Sequence, residues 1–291
     1  MTESFGSTQS FGARLRLAMT ELGPLCVGID PHPGLLAHWG LDESVGGLET
    51  FAMTCVEAFA GTVAVVKPQS AFFERFGSAG VAVLERTLAG LREADTLSLL
   101  DVKRGDIGST MTAYARAYLS RDSSLRADAI TVSPFLGFGS LRPALDLAHE
   151  TGRGLFVLAL TSNPEGARVQ HAIRNGRSVA GSIVDSVTSA NAPDAGAGVL
   201  GSVGMVVGAT VGNAVQELGL DLAGANAPLL APGVGAQGAT AADLAIVFGE
   251  ALGNVLASSS REILGAGPDR AALRAAARQM AEQLRVILST S

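Results

Sequence analysis

The chain has 291 residues, of which 47% are hydrophobic, 16% charged and 5% aromatic, with 36 glycines and a formal net charge of -6. That length admits one large domain or two small ones, and the apolar, glycine-rich make-up suits buried parallel strands and excludes a disordered chain. The acidic balance excludes a nucleic-acid coat, which would need a basic surface, and leaves room only for a small local basic pocket.

From Met1 to Phe11 there is no basic-then-apolar leader pattern, and no run of about 18 apolar residues follows, so a cytoplasmic protein without a membrane span is expected. The first 20 residues read as a short leading helix with a loose start. Short apolar runs then recur, each closed by a polar or glycine-containing turn and followed by an amphipathic stretch, the pattern of repeated βα units. Eight strands are predicted in chain order: Leu25 to Asp30, Val63 to Lys67, Leu97 to Lys103, Ala129 to Ser133, Leu155 to Thr161, Gly204 to Ala209, Leu229 to Pro232 and about Val255 to Ser259. Residues 1–291 are therefore expected to form a single α/β domain, a (β/α)8 TIM barrel.

An open, doubly wound sheet shares the same alternation. The polar residues favour closure. Asp30, Lys67, Asp101, Ser162, Gln237 and Arg261 fall at the C-terminal ends of six different runs, which a barrel gathers at one mouth and an open sheet scatters. The longest interval, from Ser162 to the sixth strand, holds Asn163 to Arg168 and a helix-like Ser178 to Val187; a lid over the mouth and a variable surface excursion both fit it. Beyond Arg261, the alanine- and arginine-rich Asp269 to Leu288 has helical periodicity and is expected to close the outer layer. Cys26 and Cys55 show no zinc-type or CxxC spacing, so buried free thiols are expected rather than a disulfide.

Of 21 basic residues only Lys67 and Lys103 are lysines. A genome-driven arginine bias would leave such residual lysines on exposed helices. Instead both end apolar runs, where an ammonium that can give up a proton differs chemically from a guanidinium that cannot. In Asp101-Val102-Lys103-Arg104-Gly105-Asp106, residues 101 and 103 are two apart on a strand and so share a face, with Asp106 in the following loop. Carboxylate, ammonium and carboxylate at a strand end are not ordinary core, because unpaired buried charge is strongly disfavoured. A structural salt-bridge cluster is the plainer alternative, and Lys67 at the end of the neighbouring strand favours a site. After the seventh strand comes the glycine-rich turn Pro232 to Gly238, and one βα unit later Ser260-Arg261. These are the usual phosphate-binding loops of the barrel, where backbone N–H groups face an anion and an arginine adds a bidentate charge.

Taken together, Gly28-Ile29-Asp30-Pro31-His32-Pro33, Lys67-Pro68-Gln69, Asp101 to Thr110, Thr161-Ser162-Asn163-Pro164 and Pro232 to Gly238 resemble orotidine 5'-phosphate decarboxylase, in its longer bacterial branch. The resemblance runs in order from about Leu25 to Arg261. It implies decarboxylation of orotidine 5'-phosphate to UMP with no metal and no cofactor, a nucleotide as the small-molecule partner, and a homodimer. By the same resemblance Asp30 and Lys67 hold the ribose, Asp101 and Lys103 face the reacting carbon, and Asp106 and Thr110 reach into the partner's site. Ser162 bonds the pyrimidine, while Gln237, Ser260 and Arg261 hold the phosphate. Ser133 and Phe135 depart from the family pattern, where asparagine and tyrosine are more usual, and His32 reads as a loop residue. Three rivals remain: a magnesium-dependent sugar-phosphate enzyme with a similar strand, a Schiff-base aldolase using either lysine, and a non-catalytic barrel that binds a phosphorylated ligand.

Overall fold

The computed structural model describes residues 9–234 and 239–289. Its main strands are β1 (Leu25–Ile29), β2 (Val65–Pro68), β3 (Leu97–Arg104), β4 (Ala129–Val132) and β5 (Gly154–Leu160). A short hairpin of β6 (Ile173–Arg174) and β7 (Arg177–Ser178) intervenes before β8 (Val203–Val207), β9 (Leu229–Pro232) and β10 (Val255–Ser259). All but the hairpin strands close into one parallel barrel. Closure falls at β1, whose Cys26 pairs with Val65 of β2 on one side and Ser258 of β10 on the other. The ring has no free edge, which disposes of the open-sheet alternative.

Each barrel strand contributes one residue to an inner apolar cluster: Cys26, Val65, Leu99, Ala129, Phe156, Val206, Leu230 and Leu256. The helix Phe11–Leu22 plugs the floor of the barrel, and its Phe11, Leu15 and Met19, spaced by four, join the same cluster. Ser10 starts that helix by accepting from the Ala13 N–H, and the Phe11 ring meets Phe156 edge-on at 6.1 Å. Burying each large side chain here contributes roughly 1.5–3 kcal/mol. The outward residues of the strands, such as Val27, Val66 and Leu100, pack under the surrounding helices. Side chains alternate along a strand, so the inward residue one step above the floor cluster is polar on several strands: Lys67 above Val65, Asp101 above Leu99, Thr131 above Ala129. The same alternation that fills the floor thus aims charge into the mouth.

The C-terminal helix Arg270–Ser289 begins one residue later than the sequence suggests, because Asp269 caps it, its Oδ1 accepting the Ala272 N–H at 2.8 Å. In the long excursion after β5 the structure adds two features. Asn175 and Gly176 both adopt positive φ, 54° and 77°, which makes the two-residue turn of the β6–β7 hairpin. The helix that follows runs over Val179–Gly196, well past the expected Val187. Asn191 anchors the extension: its buried amide donates to the carbonyls of Val203 and Ala225 and accepts the Val203 N–H. Cys26 and Cys55 are buried and free, and burial pushes the Cys26 thiol up to about 12. Among the described residues no helix is long and apolar enough to cross a membrane.

Candidate active site

A cavity of about 520 Å³ opens at the C-terminal ends of the strands. Asp30, Lys67, Asp101, Lys103, Ser162, Ser260 and Arg261 all line it, so the barrel brings together residues from five strand ends. Asp101 is its electrostatic centre. Its Oδ2 accepts from Lys67 Nζ at 3.1 Å and Gln69 Nε2 at 3.0 Å, and its Oδ1 from Lys103 Nζ at 2.6 Å and Thr131 Oγ1 at 2.8 Å. The Lys67 and Asp101 side chains are each only 8% exposed, whereas that of Lys103 is 47% exposed and faces the cavity. Here a buried carboxylate is held between one buried ammonium and one open to a ligand.

Burial works against both buried charges. The Lys67 ammonium nevertheless stays above its ordinary range, because Asp30 and Asp101 face it. The Asp101 carboxyl is likewise held well below the usual carboxylate range by the lysine charges and by hydrogen bonds from Lys103 and Thr131. Both groups therefore remain ionised throughout the neutral pH range. Among the described residues, Asp30 Oδ1 and Ser259 Oγ of the cavity-lining residues are buried without a hydrogen-bond partner, and Asp30 Oδ1 is a carboxylate acceptor. A ligand hydroxyl would satisfy that carboxylate oxygen.

Lys103 reaches this position by a route that strand alternation does not give. Its φ is +44°, in the left-handed region, and the β3–β4 register shifts between Leu100 and Arg104. Thr131 Oγ1 catches the freed backbone, accepting the N–H groups of Val102 and Lys103 at 3.0 and 2.9 Å. Gly105 follows because a Cβ there would lie 2.3 Å from the Ser133 carbonyl oxygen. Across the mouth Gly28 is needed for the same reason, since a Cβ would lie 2.0 Å from Ser260 Oγ.

Asp106 and Thr110 do not line this cavity. Asp106 Oδ1 accepts the N–H of its neighbour Ile107 at 2.7 Å, and Thr110 is exposed on the first turn of the helix Gly108–Leu119. Gln237 lies outside the described residues, while Gly233 and Val234 of the same loop line the cavity. His32 also lines it and packs its ring against Phe72 at 4.3 Å. Ser133 donates its N–H to the Arg104 carbonyl, and Phe135 is 78% exposed. Sequence reasoning gave no role to Gln69 or Thr131. The signal for Thr131 is a hydroxyl at an inward position directly above the floor cluster, and for Gln69 a donor two residues beyond a strand-end lysine.

The sequence model of the Orotidine 5'-phosphate decarboxylase / HUMPS family matches residues 23–276. An orotidine 5'-phosphate decarboxylase of Salinispora arenicola is 63% identical over 284 residues, covering 97% of this chain and 100% of the relative. That of Streptomyces coelicolor is 60% identical over 285 residues, again covering 97% and 100%. A crystal structure assigned to orotidine 5'-phosphate decarboxylase from Streptomyces avermitilis superposes with a TM-score of 0.93 at 57% identity and covers 100% of both chains. The Leishmania donovani OMP decarboxylase structure gives 0.72 at 28% identity, covering 96% of this chain and 99% of that one.

Proposed function

The chain belongs to the orotidine 5'-phosphate decarboxylase family, and we propose that it catalyses loss of CO2 from orotidine 5'-phosphate to give UMP as a single-domain cytoplasmic enzyme, with Lys103 as the acting group and no metal or cofactor. The observation that carries this reading is the Asp101 carboxylate fixed between Lys67 and an accessible Lys103 ammonium. When the C6–carboxylate bond breaks, its electron pair stays on C6, where no adjacent carbonyl delocalises it. A cation already in place stabilises that charge without reorganising, and more strongly in a water-poor cavity than in solution. The proton then passes from Lys103 Nζ to C6, and the neutral amine recovers a proton from solvent. Asp101, ionised and immobile, sits beside the departing carboxylate and is relieved of its repulsion as CO2 leaves.

The remaining site residues hold the nucleotide. Asp30, with its free acceptor, and Lys67 take the ribose hydroxyls, and Ser162 takes the pyrimidine. Arg261, Ser260 and Gln237 take the phosphate, beside Gly233 and Val234, which line the same cavity. Binding the phosphate away from C6 lets remote binding energy assist the chemical step. The direct test is to follow the ultraviolet absorbance of orotidine 5'-phosphate with and without EDTA. Turnover indifferent to EDTA is expected; metal-dependent turnover, or none, overturns the reading.

The same reading makes the enzyme a homodimer in which Asp106 and Thr110 complete the neighbouring site. Two observations support it. Neither residue lines the cavity of its own chain, and Ile107, Phe135 and Leu136, from the loops after β3 and β4, are large apolar side chains left 62%, 78% and 53% exposed. Mixing Lys103→Ala chains with Asp106→Ala chains should then restore activity to roughly a quarter of wild type. About half the dimers are mixed, and each of these has one site free of lesions. No recovery, with subunit exchange confirmed by native mass spectrometry, would mean that Asp106 serves its own chain.

A further inference from the structure

The left-handed backbone at Lys103 has to be held, since a side chain with a Cβ is sterically strained in this region. Thr131 holds it from one side through the two amide bonds already described. On the other side stands Arg104. Its Nη1 donates to the Val102 carbonyl at 3.3 Å and its Nη2 to Glu74 Oε1 at 2.5 Å. Its guanidinium carbon lies 5.6 Å from the Tyr114 ring centroid and 6.0 Å from that of Tyr118. Glu74 Oε1 also accepts from Ser70 Oγ at 2.7 Å, in the short helix Ser70–Glu74 that directly follows Gln69. The ends of β2 and β3, which carry the two lysines, are thus joined three times: inside the mouth by Lys67 and by Gln69 to Asp101, and outside it by Glu74 to Arg104.

We propose that Arg104, anchored by Glu74, is a positioning residue that keeps the Lys103 backbone left-handed and so holds the ammonium at Asp101 and at the reacting carbon. The guanidinium suits the task because its fork serves a carbonyl and a carboxylate at once while its charge lies near the rings of Tyr114 and Tyr118. A lysine offers one point charge and no fork. Neither Arg104 nor Glu74 lines the cavity, so their influence on the substrate runs through Lys103.

The proposal rests on reading Lys103 as the acting ammonium, and the experiment keeps the two apart. Glu74→Gln, which keeps the shape of the side chain, Arg104→Met and the double variant are purified and assayed beside wild type, with kcat and KM for orotidine 5'-phosphate corrected for the folded fraction. Each single change should lower kcat by about 10- to 100-fold and leave KM within about threefold, because a misplaced ammonium costs the transition state more than the bound nucleotide. The double variant should be no worse than the poorer single one, since both changes break one tie. Unchanged kcat per folded chain with a lowered melting temperature would make the tie merely structural, and losses that multiply in the double variant would make the two residues independent; either result overturns the proposal. If wild type itself fails to decarboxylate the substrate, it is the reading of the site that falls.

Discussion

Lys103→Arg should lower kcat by on the order of 10⁴-fold or more while the Kd for UMP changes far less. The substitution keeps a positive charge beside Asp101 Oδ1, so it isolates what the ammonium does beyond being positive. A guanidinium is broader, is anchored less closely to a single carboxylate oxygen, and does not release a proton near neutral pH. It therefore spoils both the stabilisation of charge at C6 and the proton delivery that follows. UMP has no carboxylate at C6, and on the proposed binding mode its ribose and phosphate contacts lie away from Lys103, so its affinity should largely survive. Stopped-flow or steady-state kinetics with isothermal titration of UMP measures the two quantities separately. A variant with near-normal kcat would remove Lys103 from the chemical step.

The second large effect concerns stability as well as rate. Asp101→Ala strands the Lys67 ammonium, whose side chain is 8% exposed, with its nearest countercharge gone. Leaving one member of a buried ion pair unpaired costs about 3–5 kcal/mol, which for a chain of this size is a fall in melting temperature of roughly 6–10 °C. Asp30 still faces Lys67 and keeps the loss toward the lower end. The pH dependence has a definite sign. Asp101 titrates below the usual carboxylate range in the folded chain, so its contribution is present above the unfolded pKa and is lost only as pH falls through the lower, folded one. Lys67 titrates above its usual range, so its contribution is full below the unfolded value and is lost only in strong alkali. The gap in melting temperature between wild type and variant should accordingly stay constant from pH 5 to 8. A gap that closes within that window would show that the pair is not ionised as described.

Much of this was legible from the chain because the two periodicities of the sequence do different jobs. Runs such as Leu97-Ser98-Leu99-Leu100 mark strands buried on both faces, and a charge at the end of such a run has nowhere to point but the mouth. That logic found Lys67, Asp101 and Lys103. It could not find the left-handed turn at Lys103, since the turn depends on a register shift against β4, a relation between strands far apart in sequence. Thr131 was hidden for a related reason: a β-branched residue in Ala129-Ile130-Thr131-Val132 looks like ordinary strand filling until the shift presents two amides to its hydroxyl. The β6–β7 hairpin was the opposite case. Its Asn175-Gly176 signal is local and strong, but the strands it joins are two residues each and too short to register as apolar runs.

The distribution of lysine also decides how the protein can be handled. With only two lysines in the chain, both lining the cavity and their side chains 8% and 47% exposed, a reagent directed at lysine side chains meets Lys103 first. Wherever succinimidyl dyes, glutaraldehyde or amine-coupled biosensor surfaces react with a side chain and not with the α-amino group, Lys103 is the accessible target, in the pocket they are meant to report on. The 27 aspartates and glutamates are the gentler handles, provided that Asp30 and Asp101 are shielded by a bound nucleotide during carbodiimide coupling. An immobilised form of this enzyme should therefore be tethered through its acids, with the cavity filled while the bond is made.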